Sequence, residues 1–478
     1  MDHILYWNAV ALEANRRDFT DVPTGASEPM PEQGGPTLSS RALAIVHLAM
    51  YDAHAAVVGG SSLPAYLPGL PGKPAGATAD AAVAGAAHRA LSALFTRQQA
   101  AFDAALAAAL VSGTAIRASI AFGVEVANAL LADRGGDPGA GATGHVHSQK
   151  PGRHRPDPVA QHASSHAPWY GASAKLFATP KRLALLPPPA RGSREYMRAL
   201  KQVRGAGIAP ELMGTLPAAY TKRTSDHTAI GLFWAYDGPP KLGTPPRFYN
   251  QIVREVARAQ GNGVDENARL FALVNAAMGD AGILAWADKY KHDLWRPVLG
   301  IREHDPSMGP MPPKPGDELQ VDCDPEWRPL GAPASNVKNG VDFTPPFPAY
   351  PSGHATFGAA ALHMTRLFYG VPMGNRAKDR VWKGPLVSEE MNGSTKDARG
   401  VIRPQHSRTF DDGLWQMIVE NGLSRIYLGV HWSFDAFALT SRGAPDFSKF
   451  MGGVPLGLKI AEETFQAGAK KGPKKSTA

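Results

Sequence analysis

Apolar residues recur three and four positions apart over long parts of the chain, the spacing that gives a helix one buried face. Leu43–Val58, Ala81–Leu110 and Thr114–Arg134 carry it early on, with Ala and Leu, both strong helix formers, in most positions. It returns at Ser193–Val203, Thr228–Tyr236, Pro246–Gln260 and Glu266–His292, then at Ser352–Tyr369, Asp411–Ile426, His431–Thr440 and Gly457–Gln466. Almost no segment of β-branched residues alternates, and no internal repeat is visible. The pattern predicts an all-α protein of packed helical bundles, with two four-helix-bundle-like cores. Gly135–Ser173 and Pro306–Pro351 break it with Gly and Pro, which argues for long irregular loops. The expected division is an N-terminal bundle region over 1–205 with an irregular loop at 135–185, a C-terminal bundle over 206–466 and a basic flexible tail over 467–478.

Composition narrows the class. The 478 residues are 44% hydrophobic and 19% charged, enough to fill a substantial core. Gly and Pro make up about a fifth of the chain, below the roughly 25–30% at which disorder becomes the default. The only cysteine, Cys323, excludes an intramolecular disulfide and a thiolate metal cluster. The opening MDHILYWNAV lacks the basic-then-apolar order of a secretory signal. Charges interrupt the apolar stretches, as Asp280 does within Phe271–Trp286, so no membrane span is expected. A soluble protein is expected, cytoplasmic or exported by an unrecognised route. The net charge of +8 owes part of its excess to Lys470, Lys471, Lys474 and Lys475, a solvated tail rather than a nucleic-acid arm. A small anion bound inside the fold would also favour basic residues. His145, His147, His154, His162 and His166 lie in the first irregular loop, where wandering spacing fixes no metal geometry, and are expected to be solvated.

Three blocks in the second half combine donors with features that position them. In Lys289-Tyr-Lys-His-Asp-Leu-Trp-Arg296-Pro297, seven residues are close to two helical turns, so Lys289 and Arg296 would project from one face. Pro348-Ala-Tyr-Pro-Ser352-Gly353-His354 runs from a proline-rich loop into an Ala-rich helix. Ser352 is a natural N-cap there, and the first-turn N–H groups, that of Gly353 included, offer an anion site. In Ser424-Arg425-Ile-Tyr-Leu-Gly429-Val-His431, Arg425 ends one helix, Gly429 permits a turn, and Asp435 follows His431 by one turn as a supporting group. Each block alone reads as a solvated face, a plain cap or a buried ion pair. Together they form a receptor for a tetrahedral oxyanion, with histidines to serve as nucleophile or ligand and as acid–base.

The ordered set Lys-x6-Arg-Pro, Pro-Ser-Gly-His and Ser-Arg-x5-His resembles the signature joining type 2 phosphatidic acid phosphatases, class A acid phosphatases and vanadium haloperoxidases. PPFPAYPSGHATFGAA, VSEEMNG, SRIYLGVHWSFDA, FWAYDG…GTPPRFYNQIVR and ILYWNAVALEANR…SSRALAIVHLAMYDAH look like the fungal vanadium chloroperoxidase branch, so the resemblance spans nearly the whole chain. It implies a vanadate cofactor with His431 as its ligand, and hydrogen bonds to vanadate from Lys289, Arg296, Arg425, Ser352 and the Gly353 amide. It further implies His354 as acid–base toward hydrogen peroxide, Asp237 as the carboxylate fixing Arg425, and Lys289 polarising a peroxide oxygen that halide then attacks. Trp286 and Phe347 match two aromatic residues beside vanadate in chloroperoxidases, where bromoperoxidases have histidine at the second. The reading is oxidation of chloride or bromide with small organic acceptors downstream, without nucleic acid or membrane, the oligomeric state being open. The alternative within the fold is an acid phosphatase acting through a phosphohistidine at His431. A non-catalytic oxyanion binder would need neither His354 nor His431.

Overall fold

The computed structural model describes residues 2–21, 31–60, 63–109, 113–160, 165–310 and 320–478. Helices α1 (His3–Asp18), α2 (Gly35–Val58), α3 (Ala79–Leu94), α4 (Gln99–Ala109) and α5 (Thr114–Asp133) precede the first irregular loop. Then come α6 (Tyr170–Ser173), α7 (Arg194–Ala206), α8 (Ser225–Phe233), α9 (Pro245–Gln260), α10 (Val264–His292) and α11 (Pro297–Arg302). After the second loop follow α12 (Gly353–Phe368), α13 (Leu414–Tyr427), α14 (Ser433–Ala436) and α15 (Gly453–Ala467). Two antiparallel pairs of two-residue strands, Leu386–Val387 with Ser407–Arg408 and Ala438–Leu439 with Pro445–Asp446, and a few short 3-10 turns complete the regular structure among the described residues. The fold is all-α.

Several boundaries differ from the periodicity. The single helix expected over Ala81–Leu110 is two, because Phe95 leaves helical geometry (φ −127°, ψ 69°) and buries its ring in the core; Leu110 lies outside the described residues. The helix expected over His431–Thr440 is one turn, α14: Phe437 adopts an extended backbone (φ −165°) and the next two residues pair as a strand. Helix α2 starts at Gly35, ahead of Leu43, with a proline in its first turn where no N–H is needed.

Helices α2, α3 and α5 form the N-terminal bundle, and α12 packs against α15, α13, α9 and α10 in the second. The two bundles share one packed interior. Helix α10 is apolar around most of its circumference and packs on α2 as well as on α12, so one continuous cluster of buried side chains runs from Ile4 to Phe465. The charge that interrupts α10 is structural. Buried Asp280 accepts the N–H groups of Phe177 (2.5 Å), Ala178 (2.9 Å) and Thr179 (2.6 Å), stitching the segment after α6 to α10.

Two further expectations are corrected. Helices α2, α5 and α10 are each long and apolar enough to cross a membrane; α2 and α10 bury most of that length inside the protein, whereas α5 leaves most of it uncovered. The C-terminal run is docked in part: Ser476 donates its N–H to Phe177 O (2.8 Å) and its hydroxyl to Thr179 O (2.7 Å), and Lys475 pairs with Asp133 (2.5 Å), while Lys470, Lys471 and Lys474 stay exposed to solvent.

Close contact between α12 and α15 sets the position of the α12 N-terminus. A Cβ on Gly457 would lie 2.3 Å from Thr356 O, and one on Gly453 2.4 Å from Ser352 O. Because the obstacle is backbone, Gly457→Ala must push the helices apart. It is expected to lower unfolding free energy by about 1–3 kcal/mol in urea titration.

Candidate active site

Helix α10 ends because Asp293 takes the left-handed conformation (φ 49°) and donates its N–H to Lys289 O (2.8 Å). The chain then reverses, Trp295 N–H bonds Gly152 O (3.0 Å), and Arg296 becomes the N-cap of α11. Lys289 and Arg296 therefore do not share a helical face as the spacing suggested; a turn folds them onto the same proline-rich segment. The Lys289 ammonium donates to Pro348 O (2.8 Å), Ala349 O (3.1 Å) and Pro351 O (2.5 Å), and Arg296 Nε to Phe347 O (2.8 Å). These two buried cations fix the loop that delivers Ser352, Gly353 and His354.

Ser352 caps α12, its hydroxyl accepting from Ala355 N–H (3.4 Å), while its own N–H donates to Asp435 O (2.8 Å). The Trp286 ring lies against Gly353, where an added Cβ would stand 3.2 Å from it. His354 donates Nε2–H to Ala235 O (2.5 Å), which leaves the Nδ1 lone pair 3.8 Å from Asp237 Oδ1. Burial and the nearby Arg425 push this imidazole down to about 3, so it is a neutral base.

Helix α13 brings Arg425 to its last turn, and Gly429 (φ 74°) reverses the chain against Gly207 O, only 2.4 Å from where a Cβ would be. Asp237 grips the Arg425 guanidinium through both oxygens, at 2.9 and 2.8 Å. His431 donates Nδ1–H to Asp435 Oδ2 (2.8 Å) and presents the Nε2 lone pair, which accepts from Arg296 Nη1 (2.8 Å). Burial, then Arg296, Lys289 and Arg425, hold His431 well below its ordinary value, so it is neutral, the form a metal ligand needs.

The residues fit an oxyanion. Lys289, Arg296 and Arg425 are at most 1% exposed, and among the described residues Asp237 and Asp435 are the carboxyl groups that face them. Arg296 Nη2 and Arg425 Nε are buried without a hydrogen-bond partner, an expensive condition that an anion would relieve. Asp237, Gly353, His354, Arg425 and His431 line a cavity of about 460 Å³, together with Trp286 and Phe347, whose rings lie 4.8 Å apart. Lys289, Arg296 and Ser352 adjoin this wall, Arg296 through His431 and Ser352 as the neighbour of Gly353. All ten residues singled out from the sequence thus gather at one place. Lys289 differs in detail: its protons are all engaged by carbonyls, so its charge, rather than a free N–H, faces the cavity.

Sequence reasoning missed the rest of the wall: Phe19, Pro31, Gly34 to Pro36, Ala140, Ser165, His166, Gly238, Thr244, Pro245, Phe343, Pro345 and Pro346. Most come from distant segments that no local pattern signals; the FTPPF run beside Phe347, Gly238 after Asp237, and Thr244 and Pro245 in the GTPPRF stretch do adjoin motifs. The loop histidines are not solvated as expected. His154 is buried, and His166 lines the cavity, while His162 lies outside the described residues.

Two outcomes follow from this geometry. Asp435→Ala frees the His431 tautomer and ring, and is expected to weaken orthovanadate binding 10- to 100-fold in equilibrium dialysis. Orthovanadate at a hundred times its dissociation constant is expected to add about 2.7 kcal/mol of stability, read as a rise in Tm that the Arg425→Ala variant lacks.

Comparison with known proteins finds relatives over nearly the whole chain. The vanadium chloroperoxidase N-terminal domain matches residues 1–176, and the second helical-bundle domain of that family matches 269–444. A vanadium chloroperoxidase of Curvularia inaequalis is 33% identical, the match covering 99% of this chain and 91% of the relative. Among solved structures, a bacterial vanadium-dependent iodoperoxidase superposes with a TM-score of 0.61 at 19% identity, covering 98% of this chain and 97% of its own. The apo form of a bacterial vanadium-dependent chloroperoxidase gives 0.63 at 16% identity, covering 94% and 96%. With the match to the Curvularia enzyme extending over almost its whole length, this chain belongs to the vanadium chloroperoxidase family.

Proposed function

We propose that the enzyme oxidises halide with hydrogen peroxide to a hypohalous-acid-like halogenating species, using vanadate held in the cage. The observation that carries this is the pair of buried, unpartnered guanidinium nitrogens beside the neutral Nε2 of His431. His431 would be the protein ligand, with Arg296, Arg425, Ser352 and the Gly353 amide hydrogen-bonding the oxyanion. Bound vanadate supplies Lewis acidity that activates peroxide toward a nucleophilic halide without a change in vanadium oxidation state.

The chain's own groups account for the proton handling. His354, with its Nδ1 lone pair free and Nε2–H fixed on Ala235 O, accepts a proton from incoming hydrogen peroxide. Asp237 keeps Arg425 in place and stands near Nδ1, where it stabilises the imidazolium once formed. Lys289 raises the local positive potential from behind the wall and holds the loop carrying Ser352. The overall reaction consumes halide, hydrogen peroxide and one proton and yields hypohalous acid and water; small organic acceptors then react with that product.

Trp286 and Phe347 form the halide pocket. The ammonium of Lys289 lies 5.4 and 5.0 Å from their ring centroids, and the Arg296 guanidinium 4.9 Å from that of Phe347, so both cations act through the aromatic wall. The phosphatase alternative would use the same cage with His431 as nucleophile. The family match and this aromatic pair favour the peroxidase.

Bromination and chlorination of a β-diketone dye with peroxide, before and after adding orthovanadate, test the reading. Activity that appears only with vanadate supports it; hydrolysis of an aryl phosphate inhibited by vanadate, with no halogenation, would replace it with the phosphatase. His354→Ala is expected to lower kcat by about 10²- to 10⁴-fold while orthovanadate still binds. Phe347→His is expected to shift halide preference toward bromide, measured as the ratio of kcat/KM for the two halides.

A further inference from the structure

One wall of the cavity is supplied neither by the sequence motifs nor by the helices of the second bundle. It is the end of the first irregular loop, where His166 stands beside the aromatic pair. Its ring centroid lies 6.0 Å from that of Trp286, almost perpendicular at 89°, and 6.2 Å from that of Phe347. Three rings from three separate segments therefore meet at one corner.

The imidazole is held from several sides. The His166 N–H donates to Pro346 O (2.9 Å), and its carbonyl accepts from Trp286 Nε1–H (3.2 Å) and the Tyr290 hydroxyl (2.6 Å). Its Nε2 lies 2.8 Å from the Thr37 hydroxyl. Its ring rests on Gly35, where φ is +68° and a Cβ would come within 2.4 Å of Cε1 and Nε2. Any residue but glycine there would displace the ring.

The hydrogen bonds also select a tautomer. The Thr37 hydroxyl proton has no other acceptor among the described residues, so donating it to Nε2 satisfies both groups and leaves the ring proton on Nδ1. Burial pushes His166 down to about 4, so near neutral pH the ring is an uncharged donor rather than a cation. Nδ1 has no hydrogen-bond partner among the described residues. The corner's other neutral donor, the Trp286 indole N–H, is already spent on His166 O.

A halide seated between aromatic edges gives up water, and the loss is tolerable only where a donor replaces part of it. We propose that His166 holds the halide, donating Nδ1–H to the ion as it sits against Trp286 and Phe347 beside the cage. This rests on the haloperoxidase reading above. The smaller chloride is the more strongly hydrated of the two ions, so it depends more on this donor than bromide does.

The test uses the full chain with orthovanadate bound, as wild type, His166→Phe and His166→Gln. Replacing the donor by phenyl is expected to raise the KM for chloride about tenfold, the worth of one hydrogen bond, and that for bromide less, with kcat and the KM for peroxide unchanged. Glutamine, which keeps an N–H, is expected to recover most of the loss. In crystals soaked in bromide, the anomalous signal is expected in contact with the His166 ring in wild type and to be absent in His166→Phe. Unchanged halide KM in a folded His166→Phe enzyme, or a bromide site in the cavity away from His166, would overturn the assignment and leave the haloperoxidase reading intact. If wild type oxidises no halide, it is that reading that fails, and bromide bound away from His166 then removes the assignment as well. Should His166→Phe not fold, the wild-type bromide position and the His166→Gln kinetics decide.

Discussion

The site depends on an electrostatic imbalance sealed inside the protein. Three cations lie buried at a cavity lined by a single carboxylate among the described residues, Asp237, and two of their guanidinium nitrogens have no hydrogen-bond partner among those residues. Taking such charges out of water costs several kcal/mol each unless compensated. Part of the compensation is visible: loop carbonyls on Lys289, a bidentate carboxylate on Arg425, and backbone and imidazole acceptors on Arg296. The remainder must come from an anion with several acceptor oxygens. Burial first, and the neighbouring cations second, keep His431 and His354 neutral.

An imbalance of this kind needs a stiff frame, and the helical packing provides one. Helix α10 lies between the two bundles and sends Lys289 to the cage from one end of a fully packed rod. Backbone-close contacts at Gly453 and Gly457 leave the α12 N-terminus no freedom to retreat from the cations. The tight turn at Gly429 likewise fixes the path from Arg425 to His431. Motion that separated the like charges would relieve repulsion, so rigidity and charge density belong to one design.

Much of this was legible in the sequence because the donors sit in short blocks whose local geometry is self-contained. A serine before a Gly-His and an Ala-rich run can be read as a helix cap, and Gly429 as a turn, without tertiary knowledge. The convergence of Lys289 and Arg296 was legible but for the wrong reason: a seven-residue interval suggested one helical face, whereas the left-handed Asp293 ends the helix and a turn does the work. A left-handed aspartate is not encoded in periodicity. The helix expected over His431–Thr440 failed similarly, since burying Phe437 outweighed its helical neighbours. The shared interior of the two bundles was hidden because a helix apolar on all sides does not say how many partners it has.

The cavity wall opposite the cage was illegible for a different reason. Phe19, Gly35, His166 and Phe343 are far apart in the chain, and each has an unremarkable local context. Their proximity follows from α10 packing on α2: that contact brings the start of α2 over Trp286, and the irregular loop then closes the remaining side. The two halves of the site accordingly answer to different constraints. The cage is set by charge, which tolerates few residue types and therefore leaves a signature. The outer wall is set by shape and by single donors, which many residues could supply. It is there, and not in the cage, that selectivity among halides and organic acceptors can vary without loss of the cofactor.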